Sequence, residues 1–581
     1  MNNKFTLNYF KSRPIDLKHL EESFEKIASE EDKQHGYNAF SIQDFQNYIP
    51  IYSTLFNMNE KNYNQITLNN RYHFVDTTTV YDSINKTSCN HDVFIKFSPL
   101  IDPIRYMIGK YDSYDNIRVL PTISNNDTCF AKVSSPNNVS YVDGLYCFLT
   151  NILLEKHGFV HGLNYYGSYL GLQNVYKANI TDDIEYLTSS DYFNENINNG
   201  FSITQNPKNE INNFGSRGNK NKLQISSREH RITIDNLDVL DITIVDGNTV
   251  ADGSNCETIL ENIYETDKKK VSSKSSSSTS NTSNNSETNY STDGDESSDD
   301  NDSDDGNDES SGDDDDEDWE TDDDSNTETE DEENIFAYIK NFPTQMICIE
   351  KCHGTIDELF VKDKIDLHTG ASALFQIVMM LITYQKAFQF THNDLHTNNI
   401  MYVNTDIEYL YYKLDNHLYR LPTYGYIYKI IDFGRSIYKY NGNQYCSDSF
   451  AKDGDAHSQY NFEPFYNKSK PQILPNYSFD LSRLGTSIYD FIIDDDENLK
   501  DMDDLQKIIV CWCKDDQGKN VLYKKNGEER YPNFKLYKMI ARTVHNHIPK
   551  DQLKHSIFKQ FLFSGSPPSN MIDIDSIPSY V

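Results

Sequence analysis

The chain is 581 residues long, carries a formal net charge of −37 and is 37% hydrophobic. Its length suits one decorated domain, and nothing suggests a second catalytic unit. The N-terminus MNNKFTLNYFKSRPIDLKHL lacks the apolar core of a signal peptide, and no run reads as long enough to span a membrane, so a soluble intracellular protein without a membrane partner is expected. The 9 Cys, without C-x-x-C spacing, read as free thiols of a reducing compartment.

In chain order, the first informative segment is DVFIKF at 92–97, an apolar strand holding Lys96. A lone Lys in such a strand also suits an edge strand that discourages further pairing. YVDGLYCFLTNILLEKHG follows as a helix, with Asp143 near its start and Glu155 near its end, and FVHGLNYYGSYLG reads as another strand. From Tyr37 to Ile108, between Gly36 and Gly109, there is no glycine. A long detour then runs from about 176 to 340. Inside it a Ser- and Asn-rich run, 272–292, leads into Asp293–Glu333, which holds 25 Asp and Glu and no Lys or Arg. That tract cannot bury enough apolar surface to fold. It reads as a solvated loop, or as a docking tail for basic partners or a phosphoacceptor, since Ser297 and Ser310 each have Asp three residues on. Its acidity argues against direct nucleic-acid binding.

QMICIEKCHGTIDEL, from Gln345, resumes the ordered pattern as a buried strand entering a turn at Gly354. Leu374, Phe375, Val378, Met379, Leu381, Ile382 and Gln385 to Phe388 follow helical spacing. THNDLHTNNIMYV at 391–403 and IIDFG at 430–434 come next, with IMYV and YIYKII as apolar, β-rich runs around them. The Tyr-rich stretch 404–425 is longer than a compact hairpin needs and reads as an insertion. SFDLSRLG at 478–485 puts Asp480 five residues before Gly485. Cys511 and Cys513 flank Trp512, a poor zinc site without nearby partners.

His392, Asp394, Leu395 and Asn399 fill the pattern H-R-D-L-x-x-x-N, and Asp432, Phe433 and Gly434 fill D-F-G. In that order and spacing they resemble a eukaryotic-type protein kinase. The wording HNDLH and IIDFGR, with long Asn- and Tyr-rich insertions, is most similar to the kinase-like proteins of giant DNA viruses of the mimivirus type. The resemblance implies an α+β, bilobal protein-kinase-like fold. Residues 1–175 would form a small β-rich N-lobe with an N-terminal extension, and 176–340 an insertion including a disordered tract, 272–334. Residues 341–354 would form the last N-lobe strand and hinge, and 355–581 a larger helical C-lobe.

The resemblance also implies the cofactors ATP and Mg2+ and a division of labour. Lys96 would hold the α- and β-phosphates, with Asp143 or Glu155 as its helical partner. Asp394 would orient the acceptor hydroxyl, and Asn399 with Asp432 would ligate magnesium, which prefers hard oxygens. Ile349 would back the adenine pocket, with the backbone of Glu350 and Cys352 at the adenine edge. Four departures stand beside this. No Gly-rich loop is visible, and Ser482 replaces the Trp of D-x-W-S-x-G. His396 stands where Ser/Thr kinases usually have Lys. Asn393 replaces the Arg that receives an activation-loop phosphate, which implies activity independent of phosphorylation at Tyr438, Tyr440 and Tyr445. The functions left open are a protein Ser/Thr kinase acting on a protein substrate, a pseudokinase scaffold, and a small-molecule phosphotransferase.

Overall fold

The computed structural model describes residues 7–125, 128–204, 334–452, 454–493, 502–566 and 568–581. The chain divides into two units, one of Met1–Thr266 with Asn334–Val581 and the other of Asp267–Glu333. The Ser/Asn run and the acidic tract, with Ser297 and Ser310, lie outside the described residues. What is described is a mixed α and β structure.

Its first layer is an antiparallel sheet. Strands β1 (Ile42–Gln46), β2 (Val93–Pro99), β3 (Tyr165–Asn179) and β4 (Phe336–Glu350) lie in the order β1, β3, β4, β2. The register sets Lys96 opposite Ile347 and Phe336 opposite Asn179. The long detour therefore leaves after Asn179 and returns at Phe336, rather than at 176 and 340, because Lys177 and Tyr338 are still paired there. The first part of the detour is ordered: Phe201–Ile203 adds a short strand to β4.

Helix α1 (Val139–His157) is capped by Asn138, whose side chain accepts from the Ser140 N–H, and closed by Gly158 at φ +63°. Every residue from Ser140 to Leu153 is buried, so it is a core helix. The second long helix, α2 (Leu367–Phe388), starts in a capping box between Asp366 and Thr369. By length and composition alone α2 could cross a membrane, which the sequence reading did not anticipate, yet 83% of its apolar window is buried against the rest of the protein.

After α2, strands β5 (Ile400–Asn404) and β6 (Tyr426–Ile430) pair antiparallel, with Gly354–Thr355 on the outer edge of β5. The helix α3 (Phe479–Ile492) follows, then α4 (Lys535–Thr543). The Tyr-rich stretch between β5 and β6 is not a shapeless insertion. Tyr409–Leu414 and His417–Pro422 form a hairpin whose buried residues Leu410, Tyr412 and Leu414 alternate with less buried ones. That hairpin joins Leu562–Phe563 and Ile572–Asp573 in a sheet of its own, so this half of the chain holds more strand than the helical expectation.

His161, in the turn between α1 and β3, joins these layers. Its Nδ1 lies 2.7 Å from the Tyr428 carbonyl and its Nε2 2.7 Å from the Tyr412 hydroxyl, with the Tyr412 ring stacked beside it. Burial pushes its pKa down to about 4. Protonation therefore favours the unfolded chain, where the ordinary value is about 6.5, and stability present above that value is lost as pH falls toward 4. His161→Phe should remove about 2 kcal/mol from the difference in unfolding free energy between pH 7 and pH 5. Urea titrations of both proteins at the two pH values measure it, and an unchanged difference would contradict the assignment.

Candidate functional site

Along β2 the side chains of Val93, Ile95 and Phe97 point into one apolar cluster, which puts Lys96 on the opposite face. There its Nζ lies 2.8 Å from Asp143 Oδ2 on α1 and 2.8 Å from Asp432 Oδ1. Burial opposes the ammonium charge, but the two carboxylates outweigh it and hold the Lys96 pKa above its ordinary value. Of the two acidic residues offered by the helix, Asp143 meets Lys96. Glu155 instead accepts from Asn151 Nδ2 and the Arg71 N–H. The second Asp143 oxygen, Oδ1, accepts from the Phe433 N–H at 2.8 Å, so one side chain ties α1 to both β2 and the D-F-G turn.

That turn is tightly made. Asp432 has φ +61°, an unusual conformation for a residue with a side chain. Phe433 is fully buried against Tyr146, Phe390 and His392. A Cβ at Gly434 would come within 2.8 Å of Val139 Cγ2, so glycine is needed for the close approach to α1. Burial opposes the Asp432 carboxylate and Lys96 outweighs it, lowering its pKa. The Asp432 side chain remains 40% exposed, the most open of the acidic groups that meet here.

The 391–399 loop is held from below by α3. Asp480, fully buried, accepts 2.9 Å hydrogen bonds from the backbone N–H groups of His392 and Asn393. Burial raises the Asp480 pKa, and His392 acts against that rise. His392 Nε2 reaches the Ile431 carbonyl at 2.9 Å. Asn393, at φ +65°, donates from Nδ2 to the Arg435 carbonyl and accepts from the Tyr460 hydroxyl at 2.8 Å. Asn399 gives Nδ2 to the Asp394 carbonyl at 3.0 Å, with His396 Nε2 at 3.1 Å from the same nitrogen.

Asp394 is 5% exposed. Its Oδ1 accepts from the Tyr537 hydroxyl at 2.6 Å, and its Oδ2 lies 3.7 Å from Arg435 Nη1. Arg483 Nε donates to the same Tyr537 oxygen at 2.8 Å. Burial opposes the Asp394 charge, but Arg435, His396 and Arg483, together with the Tyr537 bond, hold its pKa well below the carboxylate range. Arg435, Arg483 and Tyr537 were not singled out from sequence. Both arginines stand inside the quoted motif words, but Tyr537 lies in a stretch with no pattern to mark it.

At the end of β4, Ile349 is buried opposite Phe94 and Tyr165. The Glu350 carboxylate accepts from Lys429 Nζ at 2.5 Å and from the Asn164 N–H at 2.9 Å, while the Glu350 N–H donates to the Asn164 carbonyl. Lys429 also donates to the Gly162 carbonyl. The Cys352 thiol is pushed up to about 12 by burial. The last part of the glycine-free stretch before β2 folds as Tyr72–Phe74, Thr79–Asp82 and Thr87–Asn90, with turns between them. Carboxylates fill those turns. Asp76 accepts from the Thr78 N–H, and Asp82 accepts from the Ile84 and Asn85 N–H groups. Among the described residues no cluster of three or more His, Cys, Asp or Glu forms a metal-binding group.

No family model matches the chain. A stretch of 79 residues is 40% identical to a probable serine/threonine-protein kinase of Dictyostelium discoideum, covering 13% of this chain and 6% of that protein. Another, of 124 residues, is 31% identical to the serine/threonine-protein kinase haspin of Mus musculus, covering 20% of this chain and 16% of that one. Neither relative is viral, so the likeness to giant-virus proteins gains nothing from them. Both are partial, and together they support a kinase-like relationship at most.

The buried Lys429 and Glu350 pair offers a direct test of what holds the end of β4. Lys429→Met strands a carboxylate that is 14% exposed and should cost about 3 to 5 kcal/mol of unfolding free energy, while the double variant with Glu350→Gln recovers most of it. Denaturant titration reads both, and a single replacement as cheap as the double one would mean the pair carries little.

Proposed function

We propose that this chain is an ATP-dependent phosphotransferase, a protein serine/threonine kinase that passes a γ-phosphoryl group to a protein hydroxyl. The observation that carries the reading is Lys96, which bridges a helical carboxylate, Asp143, and the D-F-G carboxylate, Asp432, at 2.8 Å each. In this reading β1 to β4 and α1 belong to a small N-terminal lobe, 341–354 ends in a hinge, and 355–581 is the larger lobe. The partial likeness to two serine/threonine kinases supports it.

Each residue then has a task. Lys96 neutralises the nucleotide α- and β-phosphates, and Asp143 keeps its ammonium aimed into the cleft. Asp394 receives or orients the acceptor hydroxyl. Asn399 and Asp432 would hold Mg2+, whose chemistry is to neutralise charge on the phosphate oxygens. The donor set fits such a hard cation. Asn399 spends Nδ2 on the Asp394 carbonyl, which leaves its Oδ1 as the ligating atom, and the Asp432 carboxylate is the most open one. The Glu350 side chain is committed to Lys429, so this residue would serve adenine only through its backbone carbonyl, with Cys352 supplying the neighbouring backbone contact.

A specific observation favours the second reading, a scaffold of kinase-like fold. From Tyr37 to Ile108 no glycine gives the backbone the freedom that a phosphate-covering loop uses, and Asp76 and Asp82 close their turns on local amides. Transfer of label from γ-labelled ATP with magnesium separates the two. Wild type should label a generic basic protein, and Asp394→Asn should lower the rate by roughly 10²- to 10⁴-fold. Label that is absent from wild type, or equal in the variant, would overturn the kinase reading.

Asn393 also bears on regulation. Its side chain already links the Arg435 carbonyl and the Tyr460 hydroxyl, so the loop and the following segment are joined without a phosphate. Tyr438, Tyr440 and Tyr445, the tyrosines flagged from sequence, are buried, and Tyr438 donates to the Val142 carbonyl. Phosphatase treatment should therefore leave the transfer rate within about twofold, and a large drop on treatment would show that a phosphate holds the segment.

A further inference from the structure

We infer that Tyr537, on α4, is the positioning residue that fixes the direction in which Asp394 meets its acceptor hydroxyl. The inference rests on the proposed reading of Asp394 and goes beyond the motif residues, since Tyr537 lies 143 positions from it in the chain.

The geometry is over-determined. Tyr537 is 1% exposed. Its ring stacks on Phe534 at 5.1 Å between centroids, and the Arg483 and Arg435 guanidinium carbons lie 5.0 and 5.5 Å from its centre. The ring therefore cannot swing. Its hydroxyl accepts from Arg483 Nε at 2.8 Å, which leaves its one proton to be donated to Asp394 Oδ1 at 2.6 Å. Arg483 is itself buried on α3, the helix whose Asp480 carries the backbone of the same loop. Thus α3 sets both the loop and, through Arg483 and Tyr537, the carboxylate at its tip.

This matters because the terminal torsion of an Asp side chain is broad and two-fold, so a carboxylate alone does not choose its plane. A hydrogen bond on Oδ1 fixes that plane and leaves Oδ2, on the Arg435 side, with a defined direction. For a reaction whose catalysis is largely positioning, an error of about 1 Å in the orienting group costs on the order of 100-fold.

The test is Tyr537→Phe in the full chain, which removes the hydroxyl and keeps the ring packing. In the labelled-ATP assay kcat should fall about 10- to 100-fold with KM for ATP unchanged, because Lys96, Asp143 and Asp432 keep their own contacts. Asp394→Asn combined with Tyr537→Phe should be no slower than Asp394→Asn alone, since a residue acting through Asp394 has nothing left to orient. A thermal melt of Tyr537→Phe near that of wild type guards against a folding defect. If the melt collapses, Arg483→Lys, which keeps the charge but loses the Nε donor, must reproduce the selective kcat loss. A normal Tyr537→Phe rate beside a dead Asp394→Asn overturns this inference alone. A faster rate overturns it as well, by showing that the hydroxyl blocks the site. Additive losses in the double variant would reduce Tyr537 to a packing residue. Wild type without transfer overturns the kinase reading and this inference with it.

Discussion

A single positive charge between two carboxylates organises the described site. Lys96 reaches Asp143 and Asp432 at the same 2.8 Å, and Asp143 spends its other oxygen on the Phe433 amide. Three segments far apart in sequence, β2, α1 and the turn at 432–434, therefore meet at one ammonium group. Without it the carboxylates of Asp143 and Asp432 would face each other with no positive charge between them, and like charges repel. β2 can carry that load because it pairs with β4 from Val93 to Pro99, so the Lys96 backbone cannot drift.

The second constraint is the buried charge beneath the 391–399 loop. Asp394 and Asp480 are almost inaccessible, and they are held differently: Arg435 lies 3.7 Å from Asp394, whereas Asp480 has two backbone amides. Buried polar groups are tolerable only when hydrogen-bonded, and each carboxylate meets that condition. The Asp480 oxygens take two loop amides, while the Asp394 oxygens face Tyr537 and Arg435. The positive φ of Asn393 is held in place by the Asp480 bond to its own N–H. Arginine suits the role because it stays charged when buried and can serve a tyrosine face and a hydroxyl at once.

How much of this could be read beforehand differs by residue for physical reasons. His392, Asp394, Asn399, Asp432 and Asp480 were nameable because each falls inside a short motif word that resembles a kinase's, where the spacing along one loop, turn or helix start marks the residue. Lys96 was named from the likeness of DVFIKF to the kinase V-A-I-K strand, and the two-residue period of that strand sets its side chain away from the apolar cluster. Tyr537 and Lys429 answer to partners 143 and 79 positions away, and no pattern in a single sequence announces such a pairing. The Glu350 side chain was overlooked for the same reason, since only its backbone belonged to the expected pattern. In the stretch 404–425 the alternation of Leu410, Tyr412 and Leu414 was present, but the abundance of tyrosine hid an ordinary period-two strand.

The shorter acid on α1 shows how such a departure is absorbed. An Asp has one methylene less than the Glu of the kinase pattern, so Asp143 can reach a lysine on the sheet only if the helix itself lies closer. Gly144, next in the chain, permits this. A Cβ there would stand 2.5 Å from Gln345 Nε2 and 3.2 Å from Ser168 Oγ, both on the strands that α1 packs against. With no side chain at that point, the helix backbone settles onto β3 and β4 and the Asp143 carboxylate arrives 2.8 Å from Nζ. The close approach also buries Asp143 to 2% exposure, which makes its pairing with Lys96 obligatory rather than optional. A helix so closely seated cannot swing outward without leaving that carboxylate uncompensated, so the bond from Asp143 to the Phe433 amide holds the D-F-G turn to the sheet as firmly as the helix itself.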